Sequence, residues 1–276
     1  MKNIILTLAA VILMCSAAFG ASDANSASTN KITITGTGDS AELLRPLATA
    51  FEAKHSGTKI KIPESIGSTA GIKAVIADKA DLARTARELK DAEKYAGVTQ
   101  VVFAKTPIVF VVRWDTNDIN NITTQQIFSI YKGEIKNWSQ LGVKPGKIYP
   151  LTREAGDSAL SVLGKTLPGF ADVNSPAAKV MYLTPEAVSA MLDHKQTIGF
   201  LPLSAVINTK LKILKVDGIE PSSENVLNGE YKHVIPLGIA CKGQPAGLAK
   251  EFIDFLYSED AAEIVRSTGA VPVKAE

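Results

Sequence analysis

Apolar and polar residues alternate along Lys31–Thr35 (Lys-Ile-Thr-Ile-Thr) with the period of a half-buried strand, and Gly36-Thr-Gly-Asp-Ser40 ends the run. Leu43, Leu44, Leu47, Ala50 and Phe51 then recur at helical spacing across Ala41–Lys54. A second strand is predicted at Lys59–Pro63, a small-residue loop at Ile66–Ala70 and a second helix at Gly71–Ala77. Strand, Gly/Ser/Thr-rich loop and helix, twice over, is the grammar of a parallel sheet with helices on its faces.

Val101–Arg113 (VVFAKTPIVFVVR) is apolar and β-branched throughout, as a central strand buried on both faces should be. The pattern then restarts. It predicts a helix at Thr123–Tyr131, a loop carrying Asn137-Trp138, a strand at Ile148–Thr152, a polar loop at Arg153–Ser158 and a helix at Ala159–Lys165. A helix at Thr184–Leu192 and a strand at Thr197–Leu201 follow. Val234–Ala240 matches the earlier apolar strand in character, and Ala246–Tyr257 reads as an amphipathic closing helix. Two αβ halves joined by two apolar strands predict two lobes with a cleft between them. Ligands of such sheets lie beyond the carboxyl ends of the strands, where the helices begin.

The N-terminus adds a cellular address. Lys2, the apolar run Ile4–Met14 and the small-x-small end Ala18-Phe19-Gly20 form the pattern of a signal peptide over residues 1–20. The run is shorter than the ~20 residues a membrane-spanning helix needs, so export to the periplasm is expected. Residues 21–30, small and polar, read as a flexible linker. Cleavage removes Cys15 and leaves Cys241 alone, so no internal disulfide is expected. It also leaves 29 basic against 28 acidic residues, a balance that points to no nucleic-acid or membrane partner. Any preference for an anion must be local. No Cys/His spacing suits zinc and no acidic loop suits calcium, so neither a metal nor another cofactor is expected.

Several motifs carry candidate chemistry. Gly36-Thr-Gly-Asp-Ser-Ala41 fits the dinucleotide fingerprint, but Asp39 would face the pyrophosphate. Ala159–Thr166 (ALSVLGKT) fits a phosphate-loop pattern, yet its Leu, Ser and Val read as helix interior rather than a glycine cradle. Gly156-Asp-Ser158 allows an exported serine hydrolase with Ser158 as nucleophile, which needs a base; His55, His194 and His233 all stand in polar contexts that read as surface. The coherent reading is different. Three loops rich in Gly, Ser and Thr (Gly36–Ser40, Gly67–Thr69 and Gly156–Ser158) each open a helix, and helix starts offer unpaired N–H groups and partial positive charge to an oxyanion. Arg87 and Arg153 stand close to them in the chain, and a guanidinium makes paired hydrogen bonds to phosphate-like oxygens.

These residues resemble the phosphate-binding proteins of bacterial ABC transporters, members of the type II periplasmic-binding superfamily. The similarity runs along ITITGTGDS, IPESIGSTAGIKAV, ADLARTARELKDAE, NITTQQIFSIYKGEIKNWSQLG, TREAGDSAL, QTIGFLP and EFIDFLYSEDAAEIVRSTGAVPV. It implies a two-lobed α/β fold, each lobe a mainly parallel sheet flanked by helices. Lobe one would comprise residues 31–111 and 233–276, and lobe two residues 112–232, with two hinge crossings. It implies a monomeric receptor, not an enzyme, that captures phosphate and delivers it to an inner-membrane ABC permease. Tungstate, molybdate or a phosphonate is the alternative ligand. Carried over, the resemblance matches Ser40 and the amide of Ala41 to first-loop contacts, Ser68 to the hydroxyl donor of the second loop and Arg153 to the arginine of the other lobe. The loops themselves add Gly38, Asp39, Gly67, Thr69, Arg87, Asp157 and Ser158 as candidate ligand-binding residues. Two departures stand out. Asp157-Ser158-Ala159 replaces the family's Ser-Gly-Thr, and Ala86 replaces an Asp or Ser. Asp157, or else Asp39, is then the candidate acceptor for the proton of a protonated oxyanion; a plain helix cap is the other reading of Asp157.

Overall fold

A computed structural model describes residues 30–113, 118–173 and 178–274. The expected signal peptide, and all of the linker before Asn30, lie outside the described residues. Chain order begins with β1 (Lys31–Gly36), α1 (Ala41–Lys54), β2 (Lys59–Lys61), α2 (Gly67–Ile76), β3 (Leu82–Thr85), α3 (Asp91–Tyr95) and the long β4 (Val98–Arg113). A second series contains β5 (Asn121–Ile122), α4 (Thr124–Tyr131), a single 3-10 turn at Trp138–Leu141, β6 (Tyr149–Arg153), α5 (Ser158–Thr166), β7 (Lys179–Met181), α6 (Thr184–Asp193) and β8 (Thr197–Pro202). It ends with α7 (Leu203–Val206), β9 (Leu211–Ile213), β10 (Lys215–Val216) and α8 (Ser223–Leu227). The chain closes through β11 (Val234–Lys242), α9 (Gly247–Phe255), α10 (Glu259–Ser267) and β12 (Val271–Pro272).

The strand order β2-β1-β3-β11-β4-β8-β6-β7 makes β4 the spine of the molecule. Its first part pairs with β11, and Ile108–Val112 pairs with β8. Along that second part the pleat sends Val109 and Val111 to one face, into a cluster with Leu151, Met191 and Leu201. Ile108, Phe110 and Val112 go to the other face, into a cluster with Phe170 and Phe200. A strand segment buried on both faces has no polar side to show, which is why Ile108–Val112 is apolar throughout. On either side of this spine the neighbours run parallel, β1 with β2 and β3, β6 with β7 and β8. The carboxyl ends of β1 and β6, and the helix starts that follow them, therefore collect along one cleft. The result is the two-lobed α/β architecture that the sequence pattern implies.

Four details depart from the expected elements. α2 starts at Gly67 rather than Gly71, because Gly67-Ser-Thr-Ala70 is its first turn and not a loop. The closing segment is two helices, since the Ser258 hydroxyl accepts from the Ala261 amide and caps a fresh start. His233 is buried rather than on the surface, with Nδ1 2.7 Å from the Thr166 hydroxyl. Short β3 has no strand-like pattern at all: Leu-Ala-Arg-Thr carries a fully buried Arg84.

That arginine fixes the first half of the cleft. Its Nε donates to the carbonyl of Thr37 at 2.5 Å, Nη1 to Ile34 at 2.5 Å and Nη2 to Pro63 at 2.8 Å. One planar fork thus ties β1, the turn that follows it and the end of the β2 segment. Desolvation pushes the guanidinium pKa down to about 10, so the charge persists at neutral pH. Gly36 completes the junction with φ of 131°, where a Cβ would lie 2.2 Å from the Arg84 carbonyl oxygen. Arg84→Lys should cost about 3 kcal/mol in a urea titration, because one ammonium cannot span three carbonyls. A loss of less than about 1 kcal/mol would show that these carbonyls find other donors.

Candidate functional site

The cleft holds a cavity of about 250 Å³. Its first wall is Thr37 and Gly38 from the β1–α1 turn, Ser65 and Ile66, and the first turn of α2, Gly67–Ala70. Its second wall is Arg153, Glu154, Gly156, Asp157 and Ser158 from the β6–α5 turn, with Tyr182–Thr184 after β7. The parallel β6–β7 register sets Arg153 opposite Met181, so the chain leaving β7 delivers Thr184 to the Arg153 side chain. Tyr131 anchors that strand from below, donating from its buried hydroxyl to the Leu151 carbonyl at 2.8 Å.

Arg153 is 6% exposed. Its Nη2 donates to Asp157 Oδ2 at 2.9 Å and to the Thr184 hydroxyl at 3.2 Å. Its Nε and Nη1 are buried and have no partner among the described residues. Two unanswered donors on a desolvated cation carry a large penalty unless an acceptor arrives, and Arg153 is one of the residues lining the cavity. The amides around it match that demand. Helix geometry leaves the first N–H groups of α2 and α5 without intrahelical acceptors. Ser68 is prepared as a donor too, since its oxygen already accepts from the Ala86 amide at 3.2 Å and its own proton remains to be given. The Ala86 side chain itself is buried and brings no charge.

Asp157 is a helix cap, as one of its two readings has it, and an ion pair is added to the cap. Oδ1 caps α5 by accepting from the Leu160 amide at 3.0 Å, and Oδ2 pairs with Arg153. Each oxygen keeps a lone pair, so the carboxylate can still accept one further proton donor in the cavity. Arg87 is present in the wall but occupied. It grips Glu93 through both Nη atoms at 2.8 and 2.7 Å and reaches the Thr69 hydroxyl at 3.1 Å.

Gly38, Gly67, Ser68, Thr69, Arg87, Arg153, Asp157 and Ser158 line the cavity, whereas Asp39, Ser40 and Ala41 are buried and not among its lining residues. The Ala41 amide donates to the Gly38 carbonyl at 3.2 Å, and Ser40 is wholly buried, its hydroxyl without a partner among the described residues. Asp39, 3% exposed, instead accepts a short hydrogen bond from the Thr184 hydroxyl. Burial first, then the neighbouring Asp157 charge, holds its carboxyl above the usual aspartate range, against Arg153 and the Thr184 and Thr37 hydroxyls. Thr184 therefore joins the two walls: it gives its proton to Asp39 and receives one from Arg153. Gly38 allows the close approach, for a Cβ there would lie 2.7 Å from Pro185 Cδ. Nothing in the sequence singled out Thr184, whose partners are 145 and 31 residues away. No histidine is among the lining residues, so Ser158 has no imidazole base to make it a nucleophile.

The chain belongs to the PBP superfamily, whose domain it matches over residues 21–260. It is 32% identical over 157 residues to the phosphate-binding protein PstS of Bacillus subtilis, a match covering 56% of this chain and 51% of that protein. Against PstS of Borreliella burgdorferi the identity is 24%, over 88% of this chain and 90% of the relative. A Clostridium perfringens crystal structure with bound phosphate superposes with a TM-score of 0.79 at 29% identity, covering 88% of this chain and 100% of that one. The corresponding figures for an ABC-type phosphate transport receptor from Vibrio cholerae are 0.63, 29%, 87% and 99%.

Two outcomes test this geometry. Thr184→Val should lower unfolding free energy by about 1–3 kcal/mol, because it leaves buried Asp39 and Arg153 each short of a partner. An unchanged denaturation midpoint would count against the clasp. The Arg87 hydrogen bonds hold Glu93 below the usual glutamate range. Its contribution is therefore full above the ordinary glutamate value and is lost as pH falls through the lowered one. Glu93→Gln should cost about 1 kcal/mol near neutrality and nothing in strong acid, as thermal unfolding across pH would show.

Proposed function

We propose that the protein is an extracytoplasmic receptor that captures inorganic phosphate in its interlobe cleft and passes it to an ABC-transporter permease. One observation carries this reading: a buried Arg153 with Nε and Nη1 unanswered, set between two helix starts in a cavity that takes a small anion. The relatives named as phosphate-binding proteins support the choice of anion. Export through a periplasm-directed signal peptide cleaved near Gly20, a monomeric state and a lobe boundary near 111 and 233 belong to the same proposal. So does the ligand set: Arg153, Ser68, Ser158 and the amides of Gly67, Ser68, Thr69 and Ser158. Arg87 acts through its hold on Thr69, and Asp39 through Thr184. Closure of the cleft over the anion, not a covalent step, is what the permease recognises.

The Asp157 carboxylate favours phosphate over tungstate, molybdate or sulfate. It can accept the proton of hydrogen phosphate, while a fully deprotonated oxyanion would set lone pair against lone pair. Titration calorimetry with a panel of oxyanions tests the assignment. Phosphate should bind and sulfate should not, and Asp157→Asn should narrow that gap; an unchanged gap removes Asp157 from selectivity. Arg153→Ala should weaken phosphate binding by about 2–4 kcal/mol, on the order of 30- to 1000-fold. Affinity close to that of the wild type would take Arg153 out of the site.

A further inference from the structure

We propose that the receptor takes up a proton at Asp39 as it closes on its anion, so that Asp39 makes capture weaker in alkaline solution. The inference rests on the phosphate reading and adds a residue that the anion does not touch. Asp39 is buried by contributions from both lobes. It leaves β1 on the first, while Thr184 bonds its side chain and the Ser204 hydroxyl donates to its backbone carbonyl at 3.0 Å from the second. Gly38, just before it, lies so close to Thr184 and Pro185 that no side chain fits between. Separating the walls takes Thr184 away from Asp39 and lets water reach the carboxylate; closing them strips that water off.

Charge in the closed cleft decides which form of Asp39 survives. The charged groups that face it are Asp157 and Arg153, and its other neighbours are the uncharged hydroxyls of Thr184 and Thr37. Arg153 already answers Asp157 at 2.9 Å, and a bound anion would claim its remaining N–H groups. Arg87 is committed to Glu93, and Lys73 reaches the cavity only from the exposed rim. One buried guanidinium would then oppose two carboxylates and the anion, an excess of negative charge that a desolvated site does not sustain. Of the three, Asp39 is the group that can lose its charge at least cost. Neutral, it still accepts from Thr184 through Oδ1, and Oδ2–H can donate to the Thr37 hydroxyl, so the clasp persists. The carboxylate gains one proton from solvent, and nothing else changes covalently.

The sign follows from linkage. If the complex favours protonated Asp39, affinity falls as pH rises past the value at which Asp39 ionises in the free protein. Calorimetry of phosphate binding at a series of pH values from about 4 to 8, in two buffers of different ionisation enthalpy at each, counts the protons. Within that range the wild type should pass through a maximum of proton uptake per anion that Asp39→Asn lacks, since the ligand's own ionisation is common to both. Equal proton counts would overturn the proposal. A second measurement needs no variant. In protein labelled with ¹³C aspartate, the Asp39 carboxyl should titrate at least about one pH unit higher with phosphate bound than without. An equal or lower value rejects it. Absence of any binding heat in the wild type sinks the phosphate reading and this inference with it, whereas heat without the extra proton sinks this inference alone.

Discussion

A guanidinium group taken out of water must be answered by oxygen, and this fold is arranged around two such groups. Arg84 is answered completely by main-chain carbonyls of Ile34, Thr37 and Pro63, and in return it fixes the turn that forms the first wall of the cleft. Arg153 is answered at Nη2 alone, by Asp157 and Thr184, and its other two nitrogens have no partner among the described residues. The first arginine is architecture, and the second is reception on the reading proposed above. Both depend on the same rule, that an unpaired buried charge is far more costly than a paired one.

The spine supplies the rigidity that this arrangement needs. Because β4 is packed on both faces, the strands beside it cannot slip by one residue without turning apolar side chains outward. The parallel register on each side is thereby held, and the strand ends are delivered to the same rim. Thr184 reaches Arg153 only because β6 and β7 are parallel and aligned at Arg153 and Met181. Helix starts and side chains converge as a by-product of sheet topology, without any contiguous motif.

Much of this could be read from the chain. The strand–loop–helix alternation gave the parallel halves, the unbroken apolar run gave β4, and Arg153 with Gly156–Ser158 gave the second wall. What escaped is instructive in physical terms. β3 has no alternation because Arg84 replaces the apolar residue that would have revealed it. Gly67–Ala70 looks like a loop because small residues suit an anion-facing helix start as well as a turn. His233 has polar neighbours in sequence but is covered by Thr166 in space. Asp39, Ser40 and Thr184 form a seam between distant segments, and no local spacing records such a seam. Asp39, Ser40 and Ala41, expected at the ligand, are not among the residues lining the cavity, and Asp39 is bonded to Thr184.

Helix α5 gives the cleft a remote indicator. Its first turn carries Asp157 and Ser158 at the cavity, and its last residue, Thr166, receives a hydrogen bond from His233 just before the chain enters β11. With the Thr166 hydroxyl 2.8 Å from the Val162 carbonyl, its proton can go there and leave the oxygen to accept from His233 Nδ1–H. A nine-residue helix is about 13 Å long, stiff enough to carry a change of tilt from one end to the other. A tilt of α5 at the cleft would therefore be felt at its other end, in the surroundings of the His233 ring.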